Sequence, residues 1–418
     1  MTLTGAATVP QTSHFDVQAP VHDSSKMICD LTQSWSEVGG GVRTYLMRKR
    51  QHILENTQHR HLLIIPGPKD ETITEDRCIT VFVKSPRVPG SPHYRLLLRN
   101  RAVRRILELY RPTLIECQDA YNLPWAAIAH REKYLDCALV AAYMTDLPTV
   151  YVERPLTRFL SAGIGEWGRG IAMHYCRTLY GKFDAVFALS KHGGADKLEA
   201  AGLANVPVVP LGIDLSVFTP DRRDHDLRAS IGVSEKQPVL IYAGRLDHEK
   251  RAQIVLEAFR LLPPEVGAKL VMLGEGPLRQ SLLAHGVIAP GFLRDRREVA
   301  RWLASSDIYV SAMADETFGI SVIEAQASGL PIVGVKAGAM IDRISPATGR
   351  LGAVDDAREM AANILEVWAH GSRAMGHLGR NHVETKFSWD QTMRTLFTKV
   401  YSVALYNTCL PALSRGQS

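Results

Sequence analysis

Short apolar runs alternate along this chain with segments whose apolar residues recur at helical spacing. In the first half, the pattern predicts strands over 27–31, 61–65, 114–117, 138–143 and 185–189, and a helix over 42–54. In the second half it predicts strands over 239–243, 269–273, 308–311 and 331–335, and helices over 251–262, 278–284, 298–304 and 319–328. Strands that alternate with helices favour an α/β fold with parallel sheets covered on both faces.

A polar, proline-marked passage near 206–225 separates the two halves. We therefore expect two doubly wound domains, over 26–205 and 206–385, that face each other across a cleft. Residues 1–25 are polar and aperiodic, which predicts a disordered tail. The remaining segment, 386–418, is expected to form a C-terminal helix that packs back on the N-terminal domain.

Composition narrows the class of protein. The chain is 46% hydrophobic and 22% charged, as in ordinary soluble globular proteins. No apolar run approaches the length of a spanning helix, and the N-terminus lacks the order of a signal peptide. The six cysteines are scattered, which indicates free thiols in a reducing cytosol rather than disulfides or a zinc site. We therefore expect a cytoplasmic location.

Basic charge is concentrated in one segment. The net charge is +6, yet residues 84–111 contain eight basic side chains and one acid. Within 94–111, apolar residues fall roughly on one helical side and arginines elsewhere, the pattern of a helix that lies on an anionic membrane. A core-facing helix with a solvated basic face explains the pattern about equally well.

The segment after the predicted strand 308–311 has the richest candidate chemistry. Asp315 and Glu316 precede a predicted helix, and Glu324 lies on a stripe that is otherwise apolar or small. A buried carboxylate is costly unless a donor reaches it, and two ribose or sugar hydroxyls are suitable donors. Eight helical residues span about 12 Å, the reach from a sugar ring across a diphosphate to a ribose. Acids before a helix are also common without function, so both interpretations stay open.

A second candidate follows the predicted strand 239–243. Gly244 ends the strand, and Arg245 and Lys250 flank the loop before the next helix. An arginine guanidinium can donate two hydrogen bonds to phosphate oxygens at once, and a lysine ammonium supplies a compact positive charge. The two side chains are therefore suited to bind a diphosphate near the helix start at Gly319. A surface arginine and a first-turn lysine are the ordinary alternative.

Glycines also open the predicted helix 42–54. Gly39, Gly40 and Gly41 precede Val42 and Arg43, so backbone donors at this turn suit phosphate or sugar. The turn does not complete a dinucleotide fingerprint, and a purely structural turn is about equally consistent with it.

Polar residues follow two further strands. Gln118 and Asp119 come after strand 114–117, and Asp146 comes after strand 138–143. The carboxyl ends of parallel strands share one sheet edge, where ligands bind in open α/β sheets. Each aspartate alone is more often a turn or helix cap.

Together these segments resemble glycosyltransferase family 4, the retaining GT-B nucleotide-sugar enzymes. The resemblance extends over about 26–405 and is most specific at Glu316 and Glu324, with Thr317, Phe318 and Gly319 between them. The order and spacing are nearest to the bacterial branch that contains sulfoquinovosyl-diacylglycerol synthase and GDP-mannose-dependent mannosyltransferases.

The resemblance implies a GT-B fold whose N-terminal domain holds the acceptor and whose C-terminal domain holds the nucleotide sugar. It implies that Glu324 binds the ribose hydroxyls, Glu316 contacts the donor sugar, and Arg245 and Lys250 neutralise the diphosphate. The expected catalytic residues are Glu316, Arg245, Lys250 and Asp119. The expected donor-binding residues are Gly41, Gly244, Arg245, Lys250, Glu316, Thr317, Phe318, Gly319, Ile320 and Glu324. The expected acceptor-side residues are Gly40, Arg43, Gln118 and Asp146. Many members have histidine where Gln118 stands, and relatives often have histidine where Met144 stands.

We therefore expect a retaining glycosyltransferase that moves a hexosyl group from a UDP- or GDP-sugar to an acceptor hydroxyl, with a membrane lipid such as diacylglycerol or a glycolipid as acceptor. We expect no metal or other cofactor, no nucleic-acid partner, and peripheral contact with an anionic membrane through 94–111. The alternatives are polysaccharide or lipopolysaccharide assembly, a sugar-nucleotide epimerase, and a non-catalytic sugar-binding protein.

Overall fold

The computed structural model describes residues 25–36, 40–89 and 91–409. Residues 1–24 of the predicted tail, Gly39 of the glycine turn and the C-terminal 410–418 lie outside the described residues. Five cysteines within the described part are free and buried.

The first half of the chain builds one sheet. Within the described residues, seven strands pair in the order β3-β4-β2-β1-β7-β8-β9, and all neighbours are parallel except β3 and β4. A short hairpin, β5-β6, lies apart from this sheet. The strands are β1 Met27–Leu31, β2 Arg60–Gly67, β3 Glu71–Glu75, β4 Cys78–Lys84, β5 Arg87–Val88, β6 Ser91–Arg95, β7 Leu114–Cys117, β8 Ala138–Tyr143 and β9 Ala185–Ala188.

Helices cover both faces of this sheet. They are α1 Gly41–Asn56, α2 Asn100–Tyr110, α3 Leu123–Lys133, α4 Arg154–Phe159, α5 Ala162–Tyr180 and α6 Asp196–Ala200, with π-helical turns at Pro148–Glu153 and Lys191–Ala195. The buried faces of α2, α3 and α5 form one hydrophobic layer with the sheet. The buried face of α1 packs on the opposite side.

The second half builds a separate parallel sheet. Among the residues described, its six strands pair in the order β12-β11-β10-β13-β14-β15. They are β10 Val239–Ala243, β11 Lys269–Leu273, β12 Ile288–Gly291, β13 Ile308–Val310, β14 Ile332–Val335 and β15 Gly349–Gly352. The helices are α7 His225–Ser230, α8 Ala252–Arg260, α9 Arg279–Ala284, α10 Arg296–Ala304, α11 Ile320–Ala327, α12 Met340–Arg343, α13 Ala357–Ala369 and α14 Ser372–Lys386. The predicted α/β class with two parallel sheets is confirmed.

The chain crosses between the two halves twice. The passage after β9 leads to the second half, and the chain returns through α15 Trp389–Thr395, the π-helical Leu396–Tyr401 and α16 Ser402–Cys409. The two crossings meet where Ile213 donates its N–H to the carbonyl of Phe387 at 2.8 Å. Tyr401 of the returning segment reaches the first half, where its hydroxyl lies 2.9 Å from Lys49 Nζ.

One predicted helix is corrected. The segment 94–111 is not a continuous helix, since Tyr94 and Arg95 belong to strand β6 and the helix begins only at Asn100. The apolar side chains of α2 are also occupied, because Val103 and Leu107 are fully buried in the layer with α3 and α5. The structure therefore favours the core-facing alternative for this helix, with its arginines in solvent.

Candidate active site

The loop between β13 and α11 presents the predicted acidic pair. Gly319 has a φ of 79°, a left-handed conformation that suits glycine, and it turns the chain directly into α11. The first N–H groups of a helix have no partner within the helix, so this start is suited to an anion. The turn therefore sets Glu316 in the loop just before α11, and Glu324 lies within the helix, in its second turn.

The structure brings Lys250 to Glu316. Lys250 Nζ lies 3.4 Å from Glu316 Oε2, and both side chains are partly exposed, at 24% and 22%. The backbone N–H of Lys250 is fixed by Asp247, 2.8 Å away. A lysine ammonium, a carboxylate and a helix N-terminus thus meet at one solvent-accessible point.

Arg245 lies on the same loop but is held differently. Its guanidinium pairs with Asp247 at 2.7 Å and with Glu249 at 2.6 Å, and its side chain is 57% exposed. These carboxylates raise the pKa of Arg245 against the opposing effect of burial, which is the largest influence on that pKa. Arg245 must exchange these partners before it can grip a phosphate.

Glu324 is the buried carboxylate of the pair. It is 5% exposed, and burial raises its pKa to about 7, although Arg296 partly offsets this shift. Arg296, at the start of α10, donates a hydrogen bond to Glu324 and lies 5.0 Å from the ring of Phe218. Near neutral pH the group is therefore poised between its protonated and ionised forms.

Thr317 and Phe318 hold the loop in place. The Thr317 hydroxyl donates to the carbonyl of Met144 at 2.9 Å, and Ser190 Oγ donates to the carbonyl of Thr317 at 2.7 Å. Phe318 is buried beneath the guanidinium of Arg343, 4.5 Å from the ring centre. The contacts of Thr317 anchor the loop between β13 and α11 (residues 311–319, the donor loop) on the N-terminal half, while Ile320 is half-buried at the start of α11.

The glycines of the candidate site differ in their surroundings. A Cβ on Gly244 would lie 2.6 Å from the hydroxyl of Tyr242, so that position requires glycine for packing. Gly40 has a φ of 125° and precedes α1, and Tyr94 Oη lies 3.9 Å from the site of its missing Cβ. The space beside Gly41 is open to 4 Å, so a ligand can approach its backbone.

On the acceptor side, Gln118 and Asp119 are buried. Gln118 donates to Asp30 at 2.6 Å and to Glu116 at 2.9 Å. Asp119 accepts the N–H of Gln33 at 2.8 Å, and burial raises its pKa to about 6. The contacts of Asp119 fix the loop after β1, so the structure places it as an anchor of that loop, and its predicted catalytic role stays a prediction.

Asp146 and Arg43 have local partners. Asp146 lies 2.6 Å from Lys197 Nζ and accepts the Tyr143 hydroxyl at 2.9 Å; these partners lower its pKa although burial, the largest influence, raises it. Arg43 is half-buried, 5.3 Å from the ring of Trp35.

Sequence analysis missed a bridge between the two halves. Arg154, at the start of α4, pairs with Asp315 and also donates to the carbonyl of Glu249 at 3.4 Å. Arg251 reaches the same Asp315 at 3.7 Å. The spacing of Arg154 and Asp315 in the sequence does not predict this contact, because the two residues lie in different halves of the chain and meet only in the folded protein.

A buried ionic network was missed as well. Lys49 is fully buried on α1, 2.6 Å from Asp30 and 2.9 Å from Glu116. Tyr401 donates to Glu116 at 2.7 Å. The signal was present, because Lys49 interrupts the otherwise apolar side of α1 that Tyr45 and Ile53 share.

Within the described residues, no three His, Cys, Asp or Glu side chains gather as a metal ligand set. Among the described helices, none is long and apolar enough to cross a bilayer.

Comparison with known proteins places this geometry in a family. The family model described as "Glycosyltransferase Family 4" matches residues 39–217, and "Glycosyl transferases group 1" matches residues 237–370. The chain belongs to glycosyltransferase family 4, as its motifs predicted, and it is a glycosyltransferase.

Curated relatives cover most of the chain. A GDP-mannose-dependent alpha-(1-6)-phosphatidylinositol dimannoside mannosyltransferase of Mycobacterium tuberculosis is 26% identical over 88% of this chain and 94% of its own length. A GDP-mannose-dependent alpha-mannosyltransferase of Corynebacterium glutamicum is 29% identical over 73% of this chain and 71% of its own length. The sulfoquinovosyl transferase SQD2 of Arabidopsis thaliana is 27% identical over 77% of this chain and 64% of its own length.

Solved structures confirm the GT-B fold. Sucrose-phosphate synthase from Thermosynechococcus elongatus superimposes with a TM-score of 0.71 at 18% identity, over 89% of this chain and 97% of that one. Anabaena Alr3699/HepE in complex with UDP-glucose superimposes with a TM-score of 0.67 at 18% identity, over 90% of this chain and all of the other.

Proposed function

We propose that this glycosyltransferase transfers a hexosyl group from a UDP- or GDP-sugar to an acceptor hydroxyl with retention of configuration at the anomeric carbon. The observation that carries the proposal is the meeting of Lys250, Glu316 and the start of α11 at one accessible point. The bond from C1 to the diphosphate oxygen breaks, and the acceptor oxygen bonds to C1 from the same face. The acceptor proton leaves with the diphosphate.

The donor is held along α11. Glu324 accepts the ribose hydroxyls in its ionised form, which its pKa of about 7 makes available near neutral pH. Lys250 and the N–H groups of α11 meet the diphosphate, where negative charge builds as the bond breaks. Glu316 contacts the hexose, and Arg245 joins the diphosphate after it exchanges Asp247 and Glu249 for phosphate oxygens.

The acceptor enters between the glycine turn and the polar residues after β7 and β8. Open space beside Gly41 supports this placement, whereas Gln118 and Asp119 are buried and hold the neighbouring loops by hydrogen bonds. We propose a lipid headgroup hydroxyl as acceptor, because one relative that covers most of the chain, the mycobacterial phosphatidylinositol dimannoside enzyme, is named for a lipid. A glycan hydroxyl, as in polysaccharide assembly, is the second candidate.

A donor screen tests the proposal. Purified protein is incubated with UDP-, GDP- and ADP-sugars, and release of nucleoside diphosphate is measured with the Glu316→Gln variant as control. We expect release from a UDP- or GDP-hexose by the natural protein and strongly reduced release by the variant. Equal release by both proteins would contradict the assigned site.

A further inference from the structure

The segment around α4 and α5 exposes an unusual amount of apolar surface. Phe159 is 75% exposed, Leu160 62%, Trp167 68% and Ile171 52%. Ile164 lies on the same outward side of α5 and is also exposed. Exposed apolar groups that cluster in this way mark a contact surface, whereas scattered single residues do not. We call these five side chains the α4–α5 patch.

Tight packing between α4 and the inner side of α5 keeps the side chains of the patch directed toward solvent. A Cβ on Gly165 would lie 2.0 Å from Thr157 Oγ1, and a Cβ on Gly168 would lie 2.3 Å from a methyl carbon of Leu156. These glycines let α5 sit directly on α4, so α5 cannot rotate its large side chains inward. Ser161 further fixes the start of α5, because its side chain accepts the N–H of Ile164 at 3.3 Å.

Basic side chains lie beside the patch on α4, farther along α5 and, one helix away, on α2, and the exposed Glu166 lies next to Trp167. Arg158 lies 5.7 Å from the ring of Phe159, and the exposed Arg177 follows farther along α5. The same helical layer contains α2, whose exposed arginines are Arg101, Arg104 and Arg105. Helix α3 joins the two, since Trp125 donates to the Tyr175 hydroxyl at 3.1 Å. Aromatic and aliphatic side chains with arginines beside them suit the interface of an anionic bilayer.

The patch is connected along the chain to the contact between the two halves. The π-helical turn Pro148–Glu153 packs on α5 and contains Tyr151, which is 55% exposed and makes an edge contact with Tyr121 at 5.8 Å. Arg154, directly after this turn, makes the bridge to Asp315 at the donor loop. The segment that carries the patch therefore also carries the contact to the loop before α11.

We propose that the α4–α5 patch inserts into the interfacial layer of a membrane that contains anionic lipids, while the arginines of α2 supply attraction at longer range. The apolar contact thus comes from α4 and α5, in place of the 94–111 segment that the sequence suggested. This inference is independent of the donor and of the reaction, because it concerns attachment alone.

Vesicle co-sedimentation tests the proposal with no donor present. The vesicles contain phosphatidylcholine alone or phosphatidylcholine with phosphatidylglycerol. We expect the natural protein to bind the anionic vesicles, and Leu160→Ser with Trp167→Ser to reduce the bound fraction at least fivefold at both low and high salt. Leu135→Ser is the matched control, because Leu135 is 67% exposed in the turn before β8 and outside the patch. It should bind like the natural protein.

A charge variant separates the two contributions. Changing Arg101, Arg104 and Arg105 to Glu should weaken binding at low salt and change it little at high salt, because salt screens exposed charges. The double serine variant should keep its nucleotide-sugar hydrolysis, which distinguishes loss of attachment from loss of the active site. Unchanged vesicle binding in the double serine variant would overturn the proposal. A natural protein that sediments as a dimer, with a double variant that is a monomer and no vesicle binding by either, would also overturn it.

Discussion

Glu324 is the residue of the site whose burial has the clearest chemical consequence. Burial raises the pKa of Glu324 to about 7, and Arg296 opposes the rise. Its place on an apolar stripe made the burial predictable from sequence. Its partner Arg296 was not predictable, because the two residues meet only through the packing of α10 against α11.

Glu324→Gln should weaken donor binding, since an amide is a poorer acceptor for two ribose hydroxyls than a carboxylate. Donor affinity of the natural protein should rise as pH rises through about 7, and this dependence should vanish in the variant. Isothermal titration with the nucleotide sugar that the donor screen selects, at pH 6 and pH 8, measures both effects. An equally steep pH dependence in the variant would exclude Glu324 as its source.

The raised pKa of Glu324 should also make the free energy of unfolding depend on pH. Between the ordinary glutamate pKa and about 7, the unfolded chain releases this proton while the folded chain keeps it. The natural protein should therefore lose stability as pH rises through this window, by on the order of 1–3 kcal/mol. Urea unfolding should show no such loss in Glu324→Gln relative to the natural protein.

Lys250 should contribute through charge at the diphosphate. Lys250→Ala should lower kcat by an amount that corresponds to about 2–4 kcal/mol, as for the loss of one oxyanion donor. Arg245→Ala should lower it as well, since Arg245 is predicted to join the same group. The exposed Lys236 provides a control, and Lys236→Ala should have natural activity.

The activity of the natural protein should persist in EDTA. Loss of activity in EDTA with recovery in magnesium would contradict neutralisation of the diphosphate by Lys250 and Arg245 alone.

At the scale of elements, most buried parallel strands were predicted closely, whereas β4, α3, α13 and several elements that contain glycine were missed. Strands β8, β10 and β11 have the predicted bounds, because continuous apolar runs signal buried parallel strands. Strands β12 and β15 contain glycine or proline, and α5 contains four glycines, so local propensity argued against them. Packing against neighbours decides these elements.

Gly319 offers a test at this scale. Gly319→Ala should cost about 1 kcal/mol of stability because its φ of 79° is unfavourable for residues with a Cβ. It should also weaken donor binding, since the turn sets the start of α11. Gly286 has a similar φ of 77° and open surroundings, so Gly286→Ala should cost similar stability and leave donor affinity unchanged. Thermal unfolding and donor titration of both variants distinguish strain from function.

At the scale of the whole molecule, the C-terminal segment ties the two halves together. Tyr401 lies 2.9 Å from Lys49 Nζ and donates to Glu116 at 2.7 Å, in a network with no solvent access. The sequence predicted that this segment returns to the N-terminal domain. It did not reveal the network, because its members are spread along the full length of the chain.

Tyr401→Phe should therefore reduce the free energy of unfolding by about 1–3 kcal/mol, because the buried charges of Lys49 and Glu116 lose a hydrogen-bond partner. Tyr406 is 66% exposed on α16, and Tyr406→Phe should change stability little. Denaturant unfolding of the two variants measures the difference. Equal stability of both would mean that the network does not depend on the returning segment.

On the proposed function, the site at Lys250, Glu316 and the start of α11 transfers a hexosyl group with retention. Proton NMR of the purified product, made from an α-linked UDP- or GDP-hexose, tests it most directly. We predict an α-linked product from the natural protein and at most a trace from Glu316→Gln. A β-linked product, or equal yields from both proteins, would contradict the account.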